Sequence, residues 1–545
     1  MSEAKPVKLV NLTIEGRPVT VPDGTSILEA AKTAGILVPH YCYHPALPVA
    51  GVCRMCLVEV EKFPKLAPAC ATAVGEGQVV HVHSEKAREA RKSVLEFLLI
   101  NHPLDCPICD QAGQCELQDY TFQEGRAESR YLEPKRFNAA EDFGGDVLYV
   151  TNRCILCTRC VRFMDQVAQE PVLNVSERGD RAVIGIHPDH DLGDNAWSGN
   201  VIDLCPVGAL ISKDFHNKAR AWELERTASV CPNCTQGCNM IVETRDDVVV
   251  QLRPRANPEV NQYYMCDPGR LNYRWMNRRD RAEVPYVRAA GTAAGARARD
   301  LEPADWEDAV RVAARLIDGS RAYVLASPML PNEAFSLLAR LVARTGGQGL
   351  YTVRTGEEAP LPGAPDLALR ADRAANVRGA ELLGFRRVAA RDALAGLRTG
   401  DVLVVADEEL AGEVVRAPNG VRTIVIGTTV PAWAAGADVV LPIANTLEED
   451  GTFTNVQGRV QRFLQAKSAP ALARPSWAVL GDLLAALGDG AGYWAVSDVF
   501  AALAGSHPAF AGMSYATLGM LGLPIVEAAA PAAAPSNAPV AVPGL

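Results

Sequence analysis

The sequence predicts a multidomain chain of mixed α+β and α/β class. Two observations carry this: all fifteen cysteines lie between Cys42 and Cys266, and beyond about residue 280 short β-rich runs alternate with helical stretches. The first half reads as several small α+β domains, and the cysteine-free remainder as a doubly wound α/β domain. At 545 residues the chain has room for three or four cores, on a prior of about 150 residues per domain. With 48% hydrophobic and 22% charged residues it belongs with folded globular proteins. A net charge of −10, with no lysine or arginine runs, argues against nucleic acid as the main partner and leaves other proteins. No stretch approaches the roughly 20 apolar residues of a membrane span, and the start MSEAKPVKLV lacks the apolar core of a signal peptide. The expectation is a cytoplasmic chain, whose cysteines ligate metal rather than form disulfides.

Residues 7–22 read as a hairpin, with VNLTI and VTV alternating around the turn EGRP. Ser26 opens a helix, ILEAAKTAG, that Gly35 ends. A second helix, roughly 85–100, runs from the charged EKAREARKS into VLEFLLI, stops at His102-Pro103 and delivers the next cysteines. In the second half AYVLAS, DVLVVAD, RTIVIGT and ADVVLP read as strands and NEAFSLLARLVARTG as a helix. Residues 354–380, rich in proline, alanine and glycine, are expected to form a long loop or irregular segment. The last twenty, VEAAAPAAAPSNAPVAVPGL, read as a disordered Ala/Pro tail.

The cysteines fall into four groups. Cys42, Cys53, Cys56 and Cys70 follow the hairpin and helix; four thiolates suit a 2Fe-2S cluster, and a structural zinc is the bland alternative. Cys106, Cys109 and Cys115 lie in HPLDCPICDQAGQCELQ, where three thiolates leave one corner of a cubane open. His102 could fill it, or merely end a helix. Cys154, Cys157 and Cys160 in CILCTRC, with Cys205 in CPVGAL, are too dense for most zinc sites and suit a 4Fe-4S cubane. Cys231, Cys234, Cys238 and Cys266 favour a further 4Fe-4S cluster, with zinc as the rival. No cysteine is left over, which weighs against a cysteine nucleophile or redox-active thiols.

These residues resemble the large iron-sulfur subunit of respiratory complex I, the 75 kDa family of NADH-quinone oxidoreductase, over nearly the whole chain. The resemblance implies that His102 completes a 4Fe-4S set with Cys106, Cys109 and Cys115. It implies that the first set holds the 2Fe-2S cluster and that Cys154, Cys157, Cys160 and Cys205 hold a 4Fe-4S cluster on the main electron path. The fourth set resembles an additional 4Fe-4S site of some bacterial members, off that path. The C-terminal half is similar to the molybdopterin oxidoreductase fold, most clearly in ADVVLPIANTLEEDGTFTNVQGRVQRF. There Asp450, Gly451, Thr452, Asn455 and Gly458 are expected to form a turn-rich loop against the sheet. No cysteine follows Cys266 to ligate molybdenum, so no molybdenum cofactor is expected.

The implied fold is a β-grasp ferredoxin-like 2Fe-2S domain at 1–83, a 4Fe-4S domain with one histidine and three cysteine ligands at 84–123, and a 4Fe-4S domain at 124–223. A 4Fe-4S domain of molybdopterin-oxidoreductase type follows at 224–280, then a molybdopterin-oxidoreductase-like domain at 281–525 and the tail at 526–545. The implied function is electron transfer within NADH:quinone oxidoreductase, from the NADH/FMN-binding subunit through iron-sulfur subunits toward quinone. The implied location is peripheral, on the cytoplasmic side of the bacterial inner membrane. The chain shows no G-x-G-x-x-G after a strand and no complete active site of its own. Two other readings stand beside this one: a formate dehydrogenase-like molybdopterin-dependent catalytic chain, and a non-redox scaffold with four zinc sites.

Overall fold

A computed structural model describes residues 8–289, 301–408, 421–430, 436–490 and 492–526. Strands Leu9–Ile14 and Arg17–Pro22 pair antiparallel, Ile14 facing Arg17, across a two-residue turn. Glu15 and Gly16 take φ of +48° and +73°, the left-handed pair whose twist matches the flanking strands. The turn is therefore Glu15-Gly16, and Arg17 and Pro18 already belong to the second strand. The Ser26 hydroxyl accepts from the Glu29 amide and starts the helix Ile27–Thr33. Gly35, at φ +70°, turns the chain off its end.

The chain divides into two compact units. The first comprises Met1–Ala228, Cys238–Asn277 and Glu357–Ala371. It opens on a five-stranded sheet in the order Arg17–Pro22, Leu9–Ile14, Val79–His81, Leu57–Val60, Ala67–Pro68. Val10, Leu12, Ile14, Val58, Val60 and Val80 bury one face of it against Ile27, Leu28 and Ala31 of the first helix. The second helix, Glu85–Leu99, begins at a Ser84 cap and stops short of Pro103, as its sequence requires. Beyond it, small two- and three-stranded sheets and short helices carry the remaining cysteines of this unit.

Residues 354–380 are not a long loop. Strands Ala359–Leu361 and Ala364–Leu369 form an antiparallel hairpin within the first unit, and Val377–Leu382 is a helix. Pro362 and Gly363 form the turn and Pro360 and Pro365 lie within the strands, while Leu361, Leu367 and Ala368 are buried. Gly363 donates to the Val167 carbonyl at 2.7 Å, and a Cβ there would lie 2.6 Å from the Val167 backbone. Close approach of two backbones explains the glycine.

The second unit comprises Ser229–Gly237, Arg278–Gly356 and Asp372–Leu545. Its eight-stranded sheet runs Leu301–Pro303, Tyr286–Arg288, Val439–Pro442, Arg422–Gly427, Val402–Ala406, Ala322–Ala326, Gln348–Tyr351, Arg386–Arg387. The last six are parallel, and Tyr286–Arg288 pairs antiparallel with both Val439–Pro442 and Leu301–Pro303. Both faces are covered, so the strands read as continuous apolar runs. Ala322, Val324 and Ala326 face the helices Trp306–Ile317, Asn332–Thr345 and Ser476–Ala486, while Tyr323 and Leu325 face a second core with Leu394 and Val405. The multidomain α+β and α/β class is therefore observed. The tail at 526–545 lies, beyond Val526, outside the described residues. Among the described residues no helix is long and apolar enough to cross a membrane.

Candidate metal centres

None of the fifteen cysteines is in a disulfide. In the first set, Cys42, Cys56 and Cys70 are buried on the loops flanking strands Leu57–Val60 and Ala67–Pro68. The Cys56 and Cys70 sulfurs stand 3.3 Å apart, and the Cys42 amide donates to the Cys53 sulfur at 3.5 Å. The thiols of Cys53 and Cys70 hold Cys42 well below the ordinary thiol range, and their own values rise in response. The Cys70 thiol lowers Cys56 in the same way, so the four sulfurs of this set act on one another, as expected where thiols crowd one point.

The second set is built at the end of Glu85–Leu99. Cys115 immediately precedes the helix Glu116–Glu124, and Cys106 and Cys109 frame a single helical turn. The Arg220 guanidinium donates to the carbonyls of Cys109 at 3.1 Å and Cys106 at 2.9 Å, clamping that turn. Gly208 faces it: a Cβ there would lie 2.2 Å from the Cys109 sulfur. His102 Nδ1 is buried and has no hydrogen-bond partner among the described residues. Burial, with Lys135 and Arg153 nearby, pulls its imidazole down to about 4, so the ring is neutral and has a lone pair to offer at physiological pH. An orphaned, neutral, buried imidazole nitrogen fits a metal ligand better than a helix-end residue does.

In the third set, Cys154, Cys157, Cys160 and Cys205 line one small cavity with Tyr149 and Arg159. The loop between the cysteines turns through two left-handed residues, Leu156 at φ +52° and Thr158 at φ +60°. The first turn sends the Leu156 amide to the Cys154 sulfur at 3.4 Å. Burial pushes the thiols of Cys154 and Cys157 up to about 11 and about 12, and neighbouring sulfurs add to it. Cys205 is raised by burial too, against the amides of Val207, Leu210 and Ala209. Buried thiols of this kind ionise only with a cationic centre beside them, so the donor set fits a bound iron-sulfur group.

The fourth set is divided. Cys231 and Cys234 lie on Ser229–Gly237 of the second unit, and Cys238 and Cys266 in the first, all four buried. Burial lifts Cys231 to about 12, Cys234 adding to it. The Cys266 sulfur accepts from the Gly269 amide at 3.3 Å, where the helix Asp267–Leu271 begins. Within the second unit, the Cys231/Cys234 loop hangs on the segment 451–463. Val456 donates to the Thr235 carbonyl at 2.8 Å, Gln461 to Gly237 at 2.8 Å and Asn455 to Gln236 at 3.3 Å. That segment is not the turn-rich loop expected. Gly451–Thr454 and Arg459–Phe463 are paired strands, with Asn455 and Gly458 in their connection. Its threonines are fully buried and spent on side-chain partners: Thr452 on Glu333 and Thr454 on Asn332 and Asn376. Asp450 accepts from the Gln465 amide at 2.8 Å.

Sequence reasoning missed Gly208, Arg220, Arg159 and Arg162. Arginines inside CILCTRCVR, and the glycine at the third position of PVGAL, were the available signals.

Five family models match the chain. They are a 2Fe-2S iron-sulfur cluster binding domain at 7–85, the NADH-ubiquinone oxidoreductase-G iron-sulfur binding region at 91–130, and the ferredoxin-like domain of NADH-quinone oxidoreductase subunit 3 at 144–211. The molybdopterin oxidoreductase Fe4S4 domain matches at 224–278 and molybdopterin oxidoreductase at 402–486. The chain therefore contains 2Fe-2S and 4Fe-4S binding domains. It is 38% identical to the G subunit of NADH-quinone oxidoreductase from Rickettsia bellii (strain RML369-C) over 341 residues, 62% of this chain and 49% of that one. It is 40% identical to the mitochondrial NADH-ubiquinone oxidoreductase 78 kDa subunit of Neurospora crassa over 365 residues, 66% of this chain and 48% of that one. A crystal structure of an NAD+-reducing [NiFe]-hydrogenase in the H2-reduced state aligns with TM-score 0.35 and 28% identity, over 38% of this chain and 90% of that one. The chain spans about half the length of the curated relatives it matches. The similarity to these two proteins extends over nearly two thirds of this chain.

Proposed function

We propose that this chain is an iron-sulfur electron-transfer subunit of an NADH:quinone oxidoreductase, occupying the place of the large iron-sulfur subunit in complex I. When bound, iron-sulfur clusters supply one-electron carriers whose potentials the surrounding protein sets. The 2Fe-2S group is assigned to Cys42, Cys53, Cys56 and Cys70. Three 4Fe-4S groups are assigned to His102 with Cys106, Cys109 and Cys115; to Cys154, Cys157, Cys160 and Cys205; and to Cys231, Cys234, Cys238 and Cys266. The observation that carries the reading is the convergence of four cysteines, Cys157 and Cys160 buried and Cys154 and Cys205 half-buried, on the cavity of the third set, with backbone amides turned toward their sulfurs.

What the chain's own residues do is hold and insulate. Short helices and left-handed turns orient the sulfurs, and Arg220 and Gly208 fix the second set; burial shields most of the ligands, while Cys106 stays exposed and Cys53, Cys154 and Cys205 are half-buried. The partners are the NADH/FMN-binding subunit upstream and the iron-sulfur subunits leading to quinone. The site of action is peripheral, on the cytoplasmic face of a bacterial inner membrane. The chain is read as five consecutive modules and a tail, with the boundaries expected from sequence. The molybdopterin-like domain serves as a scaffold, since the buried polar residues of 451–463 are engaged in holding the Cys231/Cys234 loop and Glu333.

The test is metal analysis with low-temperature electron paramagnetic resonance on the purified, reduced protein. The expected result is about fourteen irons per chain, from one 2Fe-2S and three 4Fe-4S groups. Stoichiometric molybdenum or tungsten would support the formate dehydrogenase-like alternative instead, and a colourless zinc protein the scaffold.

A further inference from the structure

Two guanidinium groups are buried between the first and third cysteine sets. Arg159 and Arg162 follow Cys157 on the helix Arg159–Arg162 and retain only 5% and 9% exposure. Arg162 donates to the carbonyls of Cys42 and Pro48 on one side and to the Cys157 carbonyl, at 3.4 Å, on the other. Arg159 donates to the carbonyl of Tyr43, next to Cys42, at 2.7 Å and to that of Leu204, next to Cys205, at 3.2 Å. Its guanidinium also stands 3.7 Å from the carboxylate of Glu116, next to Cys115.

Burying a full positive charge is costly unless an anion answers it. Arg159 has Glu116. Arg162 makes no ion pair with a carboxylate among the described residues; it donates to the Thr158 hydroxyl at 3.4 Å, and the charges acting on it are those of the Cys42, Cys157 and Cys160 thiols, with Arg159 as a like-charged neighbour. Arginine cannot shed its proton in compensation and its planar fork fits two acceptors at once. The counter-charge that justifies Arg162 is therefore the anionic cluster held by each set.

We propose that Arg159 and Arg162 are positioning residues that form a permanent cationic bridge between the 2Fe-2S set and the Cys154/Cys157/Cys160/Cys205 set. The bridge ties the two ligand loops together through their carbonyls and makes both centres easier to reduce. The inference rests on the cluster assignment above. In the step it assists, one electron leaves one centre and enters the other, with no proton or bond exchanged, so a fixed charge that favours both reduced states keeps the two matched.

The experiment is a redox titration of the assembled complex followed by low-temperature electron paramagnetic resonance. In Arg162→Gln, which keeps donors but removes the charge, the reduced-to-oxidised ratio at a fixed potential should fall roughly tenfold for both the 2Fe-2S signal and the third-set 4Fe-4S signal, equivalent to about 59 mV for one electron. The signal of the fourth set should stay put. Arg162→Lys, which keeps the charge, should remain within about threefold of wild type at both centres. If Arg162→Gln does not assemble, the lysine variant decides alone: a shift as large as tenfold would mean that packing, not charge, is the role. A loaded glutamine variant with both signals unmoved, or with every signal displaced equally, would overturn the proposal. Absence of these signals from the wild-type protein would instead overturn the cluster assignment on which it stands.

Discussion

His102 shows how a single side chain's role depends on what its neighbours leave undone. Its Nδ1 is buried without a hydrogen bond among the described residues, and burial keeps the ring neutral to about 4. His102→Ala should abolish or reshape one 4Fe-4S resonance and leave the others intact; unchanged spectra would mean the imidazole is not a ligand. Gly208 offers an independent check on the same centre, because it binds nothing itself. Gly208→Ala places a methyl 2.2 Å from the Cys109 sulfur, too close for any Cβ, so the second-set resonance should be lost or shifted while the 2Fe-2S spectrum is retained. The first and third cysteine groups, whose sulfurs the fold brings together, were legible in the sequence because thiolate spacing reflects the geometry of what it binds. Arg162 was not, since an arginine between cysteines reads as a surface charge until its carbonyl partners are seen.

Among elements, the strand Gly451–Thr454 departs most from its sequence. GTFT reads as turn-forming, yet all four residues are buried, because their polar atoms meet partners on other elements. Glu333, on the helix Asn332–Thr345, accepts from the Thr452 amide and hydroxyl at 3.0 Å and from the Tyr515 hydroxyl at 2.8 Å. Burial nevertheless outweighs these donors and raises its carboxyl from 4.5 to about 7. A folded-state value above the unfolded one means the native protein binds the extra proton, so stability falls as pH rises from about 4.5 to about 7 and then levels off. Chemical denaturation of the full chain at pH 5 and pH 8 should show this loss, on the order of 2 kcal/mol from Glu333. Glu333→Gln, a stand-in for the protonated acid, should reduce the pH dependence by that amount. The hairpin within 357–371 was equally hidden, because its alternation is broken by prolines that a two-stranded sheet, made only of edge strands, tolerates.

At the scale of the whole chain there are two compact units, and cysteines of the fourth group lie in each. The sulfurs of Cys231 and Cys234 ride on a loop held by the same segment that resembles a pterin enzyme. Cys234→Ala should remove one 4Fe-4S signal, and if that centre lies off the electron path, NADH:quinone turnover of the complex should stay within about twofold of wild type; a collapse of turnover with the other three signals intact would put it on the path. Composition, cysteine spacing and the alternation of strand and helix beyond residue 280 determined the fold class and marked out the cysteine clusters, because each is a local pattern in which covalent spacing or periodicity carries the signal; the choice of iron-sulfur over zinc rests on likeness to iron-sulfur binding domains. Only the tertiary structure decided which buried charges and polar groups serve those groups, how Gly208 and Arg220 close on the second, and where Arg159 and Arg162 lie. Those roles depend on desolvation and on partners a hundred or more residues away, and no local pattern encodes either.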